Sequence, residues 1–408
     1  LTTLYCNNNQ LTYLNMKNGV TDQLNTFYAT NNSLDCIETL DPGYATENWT
    51  YENGNIDEGV EFSVVCVPEG YTYVPDNNFE QALIDLGYDD VLNDFVLTAN
   101  INSIGYLNLN NNGIADLTGL QDFTALYELQ CSDNQLTSLD VSSNAALWYL
   151  DCRNNQLTSL DVSSNTDLNQ LACTSNQITS LDLSNNNSLW GLWCEGNQLT
   201  SLDLSNNTAL ENLTCEGNQL TSLDVSNNTE LTFLNCRYNQ LTSLDVSNNT
   251  ALTVLDFHNN LLTSIDLSSN TALTILYCGN SDNWGNVNQL TSLDLSSNTA
   301  LTELHCNYNQ LFYLNLKFGS PEQLTAFFAI SNDLTCIETL DPAWATENWT
   351  YENGNIDEGV EFSVVCEPEG YTYVPDDNFE QALIDLGYDD TLDDYVLTAN
   401  ISGVTELY

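Results

Sequence analysis

Basic residues are nearly absent. Lys17, Arg153, Arg237 and Lys317 are the only four in 408 residues, against 57 Asp and Glu, for a formal charge of −53. That field repels a phosphate backbone and an anionic bilayer surface, so neither nucleic acid nor an acidic membrane is expected as a partner. Histidine is confined to His258 and His305, two repeats apart, a separation that predicts neither a catalytic triad nor a typical zinc site. No P-loop, HExxH or GxSxG motif occurs. Carboxylates are so common that a chance pair does not indicate a glycosidase. The chain is therefore not expected to be an enzyme. No apolar run approaches the roughly 18 residues of a membrane-crossing helix, and no secretory leader is visible. High charge of one sign ordinarily reads as disorder, but leucine recurs here with strict spacing.

Two periods are nested in the sequence. The short one is 21 residues, marked by Cys131, Cys152, Cys173, Cys194, Cys215 and Cys236. Phe257 takes the next slot and Cys278 the one after, and Cys306 follows at 28 because seven residues are inserted around 281–287. The pattern is L-x-x-L-x-C-x-x-N-Q-L-T-S-L-D-V-S-x-N-x-x. Apolar residues two apart, such as Leu234 with Cys236 and Leu244 with Val246, predict two short strands per coil, joined by Asn-rich turns. Successive coils would stack in parallel at roughly 4.8 Å.

Over residues 104–334 this pattern resembles the leucine-rich-repeat superfamily, and is similar to its bacterial 21-residue class with Cys on the first strand and LDL or LDV on the second. The resemblance implies a mainly β, right-handed solenoid with two short parallel strands per coil, and a bacterial secreted surface protein. A coil alone buries too little to fold, so each depends on its neighbours.

The long period is 300 residues. Residues 1–108 and 301–408 share 79 identities, and TENWTYENGNIDEGVEFSVVC stands unchanged at 46–66 and 346–366. We therefore expect residues 1–66 to be the C-terminal end of one module, 67–366 a complete module, and 367–408 the N-terminal cap of a third, the whole being a window on a longer polypeptide. Within the complete module the entry cap is predicted as a helix over 78–86, with a twin at 378–386. Asn77 and Glu80 are placed as a capping box and Gly87 as the stop. This segment resembles the N-terminal caps of secreted bacterial leucine-rich-repeat proteins. Coils run over 104–334 and an exit cap over 335–366. Cys36, Cys66, Cys336 and Cys366 lie off the core phase, once per module and 30 residues apart. They are predicted to pair as Cys36–Cys66 and Cys336–Cys366, the alternative being buried free thiols. Pairing implies an oxidising, extracellular setting. The dozen residues between Cys66 and Phe79, with Pro68 and Pro75, read as a short semi-stiff tether.

Columns of the repeat divide into frame and surface. The ladder cysteines read as small core hydrophobes; a metal ladder is the weaker alternative, since no His shares their phase. Two Asn columns, beginning at Asn134 and Asn144, read as turn-closing amides. Asp140, Asp161, Asp182, Asp203, Asp224, Asp245, Asp266 and Asp294 share one outward slot. Neighbours about 5 Å apart repel by about 0.9 kcal/mol in water. The column reads as a solvated, salt-tolerant face, with Ca²⁺ binding along the ladder as the alternative and no other cofactor implied. The LTSLDVSSN half of the coil is nearly constant, while the outward slots of the first half vary and collect aromatics: Tyr127, Trp148, Tyr149, Trp190, Trp193, Phe233, Tyr238, Tyr277 and Tyr308. Aromatics also favour strands for stability alone, but a constant half with a variable aromatic half predicts a contact surface. The insertion 279–288 carries Trp284, the best single candidate for a specific contact.

These features predict a giant bacterial cell-surface adhesin or appendage that presents a repetitive face to a protein or glycan on another cell, surface or prey, multiplying weak contacts through repetition. A structural filament or sheath that self-associates is the second reading. A secreted effector or inhibitor with one partner is the third.

Overall fold

The architecture is that of a computed structural model, which describes every residue except 18, 20, 281–286, 367–370, 375, 390–394, 406 and 408. The chain forms two compact units, Leu1–Ser103 and Ile104–Tyr408.

The second unit is dominated by a parallel sheet of eleven three-residue strands. It begins at Tyr106–Asn108, continues through Glu128–Gln130, Tyr149–Asp151, Gln170–Ala172, Gly191–Trp193, Asn212–Thr214, Phe233–Asn235, Val254–Asp256, Ile275–Tyr277 and Glu303–His305, and ends at Ala326–Phe328. Between residues 149 and 277 each strand pairs with its neighbour at an offset of 21 residues, so the middle leucines align: Leu150 with Leu171, Leu171 with Leu192, Leu192 with Leu213. The insertion leaves the register intact, since Leu276 pairs with Leu304. Leu231, Leu234, Cys236, Leu241 and Val246 of a single coil are fully buried. The sequence period is thus a spatial period, and the ladder cysteines lie in the core.

The second half of the coil differs from expectation in detail. Among the described residues of the second unit it pairs as a ladder only in the Asp140–Asp161 bridge and in a small sheet of Ser292–Asp294, Tyr313–Asn315, Cys336–Glu338 and Glu361–Ser363. Side chains also engage this backbone. Asp161 accepts the Ser163 amide at 2.9 Å, and Asn165 Nδ2 donates to the Val141 carbonyl at 3.1 Å. The same bond is made where the backbone does pair, Asp294 accepting the Ser296 amide at 2.9 Å.

At the end of the coils, Pro342–Asn348 is a helix capped by Asp341, which accepts the Trp344 amide at 3.0 Å. Trp349 is buried against Phe327, ring centroids 4.6 Å apart. Cys336, on the strand that pairs with Glu361–Ser363, forms the predicted disulfide with Cys366, three residues beyond that paired strand. Lys317 reaches the buried Glu338 at 2.6 Å.

The first unit repeats this exit arrangement. It has the helix Pro42–Asn48, the Cys36–Cys66 disulfide, and Lys17 on Glu38 at 2.9 Å. Its entry-cap helix is Asn77–Asp85, one residue ahead of the predicted range, as is Asp377–Asp385 in the second unit. The expected capping box is absent. Asp76 is the cap and accepts the amides of Asn78 and Phe79 at 2.8 and 3.0 Å. Glu80 is turned inward, where its buried carboxylate accepts the Asn93 amide at 2.7 Å. The presumed tether is partly structured too: Tyr71–Tyr73 pairs antiparallel with Phe95–Leu97.

Candidate binding face

The middle leucine of each strand points inward, so the residues on either side of it point out. In the second unit this creates outward columns on the sheet side. One holds Tyr149, Gln170, Gly191, Asn212 and Phe233; another holds Ala172, Trp193, Thr214 and, further on, Tyr277, His305 and Phe328. Of the aromatic candidates, Tyr127, Trp148 and Trp190 precede their strands, while Tyr149, Trp193, Phe233 and Tyr277 lie on them. Trp284 lies outside the described residues.

Tyr238 and Tyr308 lie off the strands. They occupy the turn that follows the strand, with φ of 53° and 57°. The same turn position in other coils is filled by Asn111, Asp133, Asn154, Gly196 and Gly217, all left-handed. A tyrosine there is strained where asparagine or glycine is not. Both rings are nonetheless well exposed, at 41% and 39%.

The aromatic residues fall into two groups. In the earlier coils, Trp148 and Tyr149 have ring centroids 6.0 Å apart, and Trp190 meets Trp193 edge-on at 6.2 Å. Tyr127 lies across Gly105, where a Cβ would come within 2.2 Å of its ring. In the later coils His258, Tyr277, His305 and Phe328 form a continuous row, with successive centroid distances of 5.4, 4.8 and 4.8 Å. The two histidines, separated by two repeats in sequence, have centroids 6.4 Å apart. Sequence reasoning missed this row. The signal was available in the ladder phase, since His305 takes the slot of Tyr277 once the inserted seven residues are counted.

Charged groups frame the later row. His258 Nδ1 lies 2.8 Å from Asp256, and the Tyr277 hydroxyl donates to Glu303 at 2.6 Å. Burial, then the Glu303 carboxylate, pushes the Tyr277 hydroxyl up to about 12. Burial also lowers the His305 pKa, against the pull of Glu303, whose Oε1 is 3.2 Å from its Nε2. Arg237 reaches Glu216 at 2.8 Å and lies over the Tyr238 ring at 5.6 Å. Arg153 forks onto Asp151 at 2.9 and 2.7 Å. With Lys17 and Lys317 on Glu38 and Glu338, all four cations of the chain are held in ion pairs.

The Asp column lies on the other half of the coil. From Asp140 to Asp266 each carboxylate accepts the amide of the serine two residues on at 2.9 Å, as Asp294 does from Ser296. Those serine bonds hold Asp161, Asp182, Asp203, Asp224 and Asp245 below the usual carboxylate range despite their like-charged neighbours. Among the described residues, no group of three or more His, Cys, Asp or Glu is arranged to hold a metal ion. None of the described helices is long and apolar enough to cross a membrane.

No protein-family model and no curated protein sequence matches the chain. Solved structures do. The functional domain of InlJ from Listeria monocytogenes, described as including a cysteine ladder, is 36% identical, with a TM-score of 0.60 over 66% of this chain and 58% of that one. The chain thus spans little more than half the length of that structure. The internalin InlF, also from Listeria monocytogenes, is 23% identical, with a TM-score of 0.49 over 64% of this chain and 91% of that one. The fold is a leucine-rich-repeat solenoid. Its buried cysteine column is a feature it has in common with the InlJ domain.

Proposed function

We propose that this chain is part of a non-enzymatic, extracellular bacterial surface protein, built from tandem modules of about 300 residues, that attaches to another cell or surface through the sheet side of its coils. One observation carries the reading. The fold gathers the variable aromatic slots onto one side of the sheet, while the nearly constant half supplies turns and carboxylates. Half-buried aromatics, each with part of its ring open on a rigid scaffold, are what contact surfaces use. Two disulfides fit an oxidising location, and the likeness to a functional domain from Listeria monocytogenes supports a bacterial surface role.

The test is attachment of beads coated with the 408-residue chain to bacterial and host cells. We expect attachment that falls when Trp148, Tyr149, Trp190 and Trp193 are changed together to Ala, and that persists when the Asp column is changed to Asn. Equal attachment by the aromatic variant would overturn the assignment of the face. Sedimentation of the chain over a range of concentrations is expected to show monomers; filaments would favour a structural polymer.

A further inference from the structure

The sheet face carries charge along its length, with Glu128, Asp151 and Arg153 in the earlier coils and Glu216, Arg237, Asp256 and Glu303 in the later ones, but only the earlier coils add two aromatic pairs around one strand. The strand Gln170–Ala172 lies between two aromatic pairs, Trp148 with Tyr149 on one side and Trp190 with Trp193 on the other. Asn169 donates its amide to the Trp148 carbonyl, and Trp190 donates to the Asn169 carbonyl, both at 2.9 Å. Trp148, Asn169 and Trp190 therefore form one column, the backbones of its two tryptophans two strand spacings apart, about 10 Å.

The surroundings of this column are built rather than incidental. Trp193 lies along its own strand across Gly191, where a Cβ would sit 2.5 Å from the indole. Any other residue at 191 would lift the ring. Two acceptors nearby, Asn169 Oδ1 and Glu195 Oε2, are shielded from solvent and accept no hydrogen bond. Buried acceptors left open are unfavourable and call for a donor. The only cation close by, Arg153, is committed to Asp151.

Aromatic faces in register beside open acceptors suit a sugar. The C–H face of a pyranose stacks on an indole while its hydroxyls donate to amide and carboxylate oxygens. The charge of −53 repels sulfated and uronate chains. The geometry points to a neutral, extended polysaccharide bound along the coil stack, with Trp148 and Trp190 as platforms and Asn169 and Glu195, once their side chains turn outward, as acceptors between and beside them. This rests on the sheet side being the binding face.

The experiment is titration of the 408-residue chain with hexasaccharides of β-1,4-linked glucose and of β-1,4-linked N-acetylglucosamine, read by indole fluorescence and calorimetry, with a heparin hexasaccharide as the charged comparison. Saturable binding of a neutral hexasaccharide and none of heparin is expected. Trp190→Ala should weaken binding about tenfold, as loss of an aromatic anchor does. Trp190→Tyr should restore most of it, and Asn169→Ala should weaken it severalfold. Trp344→Ala, in the exit cap, should leave it unchanged. If Trp190→Ala also lowers the melting temperature, Trp190→Tyr and Asn169→Ala decide. Failure of both neutral sugars to bind, or equal binding by a stable Trp190→Ala chain, would overturn the proposal. If the sugars fail while beads still attach through the aromatic face, the glycan is wrong and the binding face stands.

Discussion

Asn218 accepts the amide of Leu199, one coil before it, at 3.0 Å, while its own NH₂ donates to the carbonyls of Cys194 and Cys215, both at 3.0 Å. One buried side chain thus satisfies backbone groups on both sides of a turn. Asn207, in the second Asn column, donates to the carbonyls of Leu183 and Asn186 at 3.2 and 2.9 Å, and its Oδ1 accepts nothing. A buried group left unpaired costs about 1–3 kcal/mol. Asn218→Ala is therefore expected to destabilise by about 3 kcal/mol or more, and Asn207→Ala by less. Urea melts of the two variants check the order, and equal losses would show that the orphaned Leu199 amide finds water.

The period of 21, the core columns, the caps and both disulfides were legible because each depends on strict recurrence, and a solenoid turns recurrence into position. Three things were not legible. The second strand of each coil was read from apolar alternation, but among the described residues of the second unit it pairs only at Asp140–Asp161 and toward the exit cap. The cap of the entry helix was assigned one residue late, because Asp76 and Asn77 are both good cap residues and only the geometry separates them. His258 and His305 were kept apart by counting coils, when the parallel stack places residues two coils apart about 10 Å from each other along the backbone, a gap their side chains narrow to 6.4 Å between ring centroids. Within the face, the aromatic columns could be read from the repeat, but the seating of Trp193 over Gly191 could not.

The Asp column makes a prediction about calcium. Each carboxylate already spends Oδ1 on a serine amide, as Asp203 does with Ser205 at 2.9 Å. A cation would have to use the remaining oxygens of neighbouring coils, with no third protein carboxylate arranged around it among the described residues. We expect the melting temperature to be the same in chelator and in millimolar Ca²⁺. A cation at one hundred times its dissociation constant would add about 2.7 kcal/mol of stability, so a saturable rise of a few degrees would assign the ladder to calcium.

Stability should also respond to His305. Burial is the largest influence on it and lowers its pKa, outweighing Glu303, while His258 adds a smaller shift in the same direction and Asp256 opposes it. The fold therefore favours the neutral ring. That preference has its full effect above the unfolded value of about 6.5. As the pH falls below it, the unfolded chain takes up the proton first and stability is lost. The difference in unfolding free energy between His305→Gln and the parent chain is expected to shift in favour of the variant between pH 7.5 and pH 5. Parallel pH profiles would show that His305 titrates as it does in the unfolded chain.

The cysteine column predicts a reactivity pattern. Nine thiols are free, and all except the half-buried Cys6 lie in the core. Burial pushes Cys173, Cys215 and Cys306 up to about 12, so almost no thiolate exists at neutral pH, and the thiolate is the reactive form. Cys6 is raised as well, but its environment is partly open. With a disulfide reagent at pH 8, one thiol of the native chain should react quickly and the other eight only at the rate of unfolding. Cys6→Ser should abolish the fast phase. Changing Cys215 to Ala or to Ser separates packing from polarity: Ala leaves a small cavity, whereas Ser puts a hydroxyl into a fully buried slot, so Ser should be the more destabilising. Fast labelling of several thiols in the native chain would mean that the coils open locally, and the column would then be a weak point of the stack instead of its core.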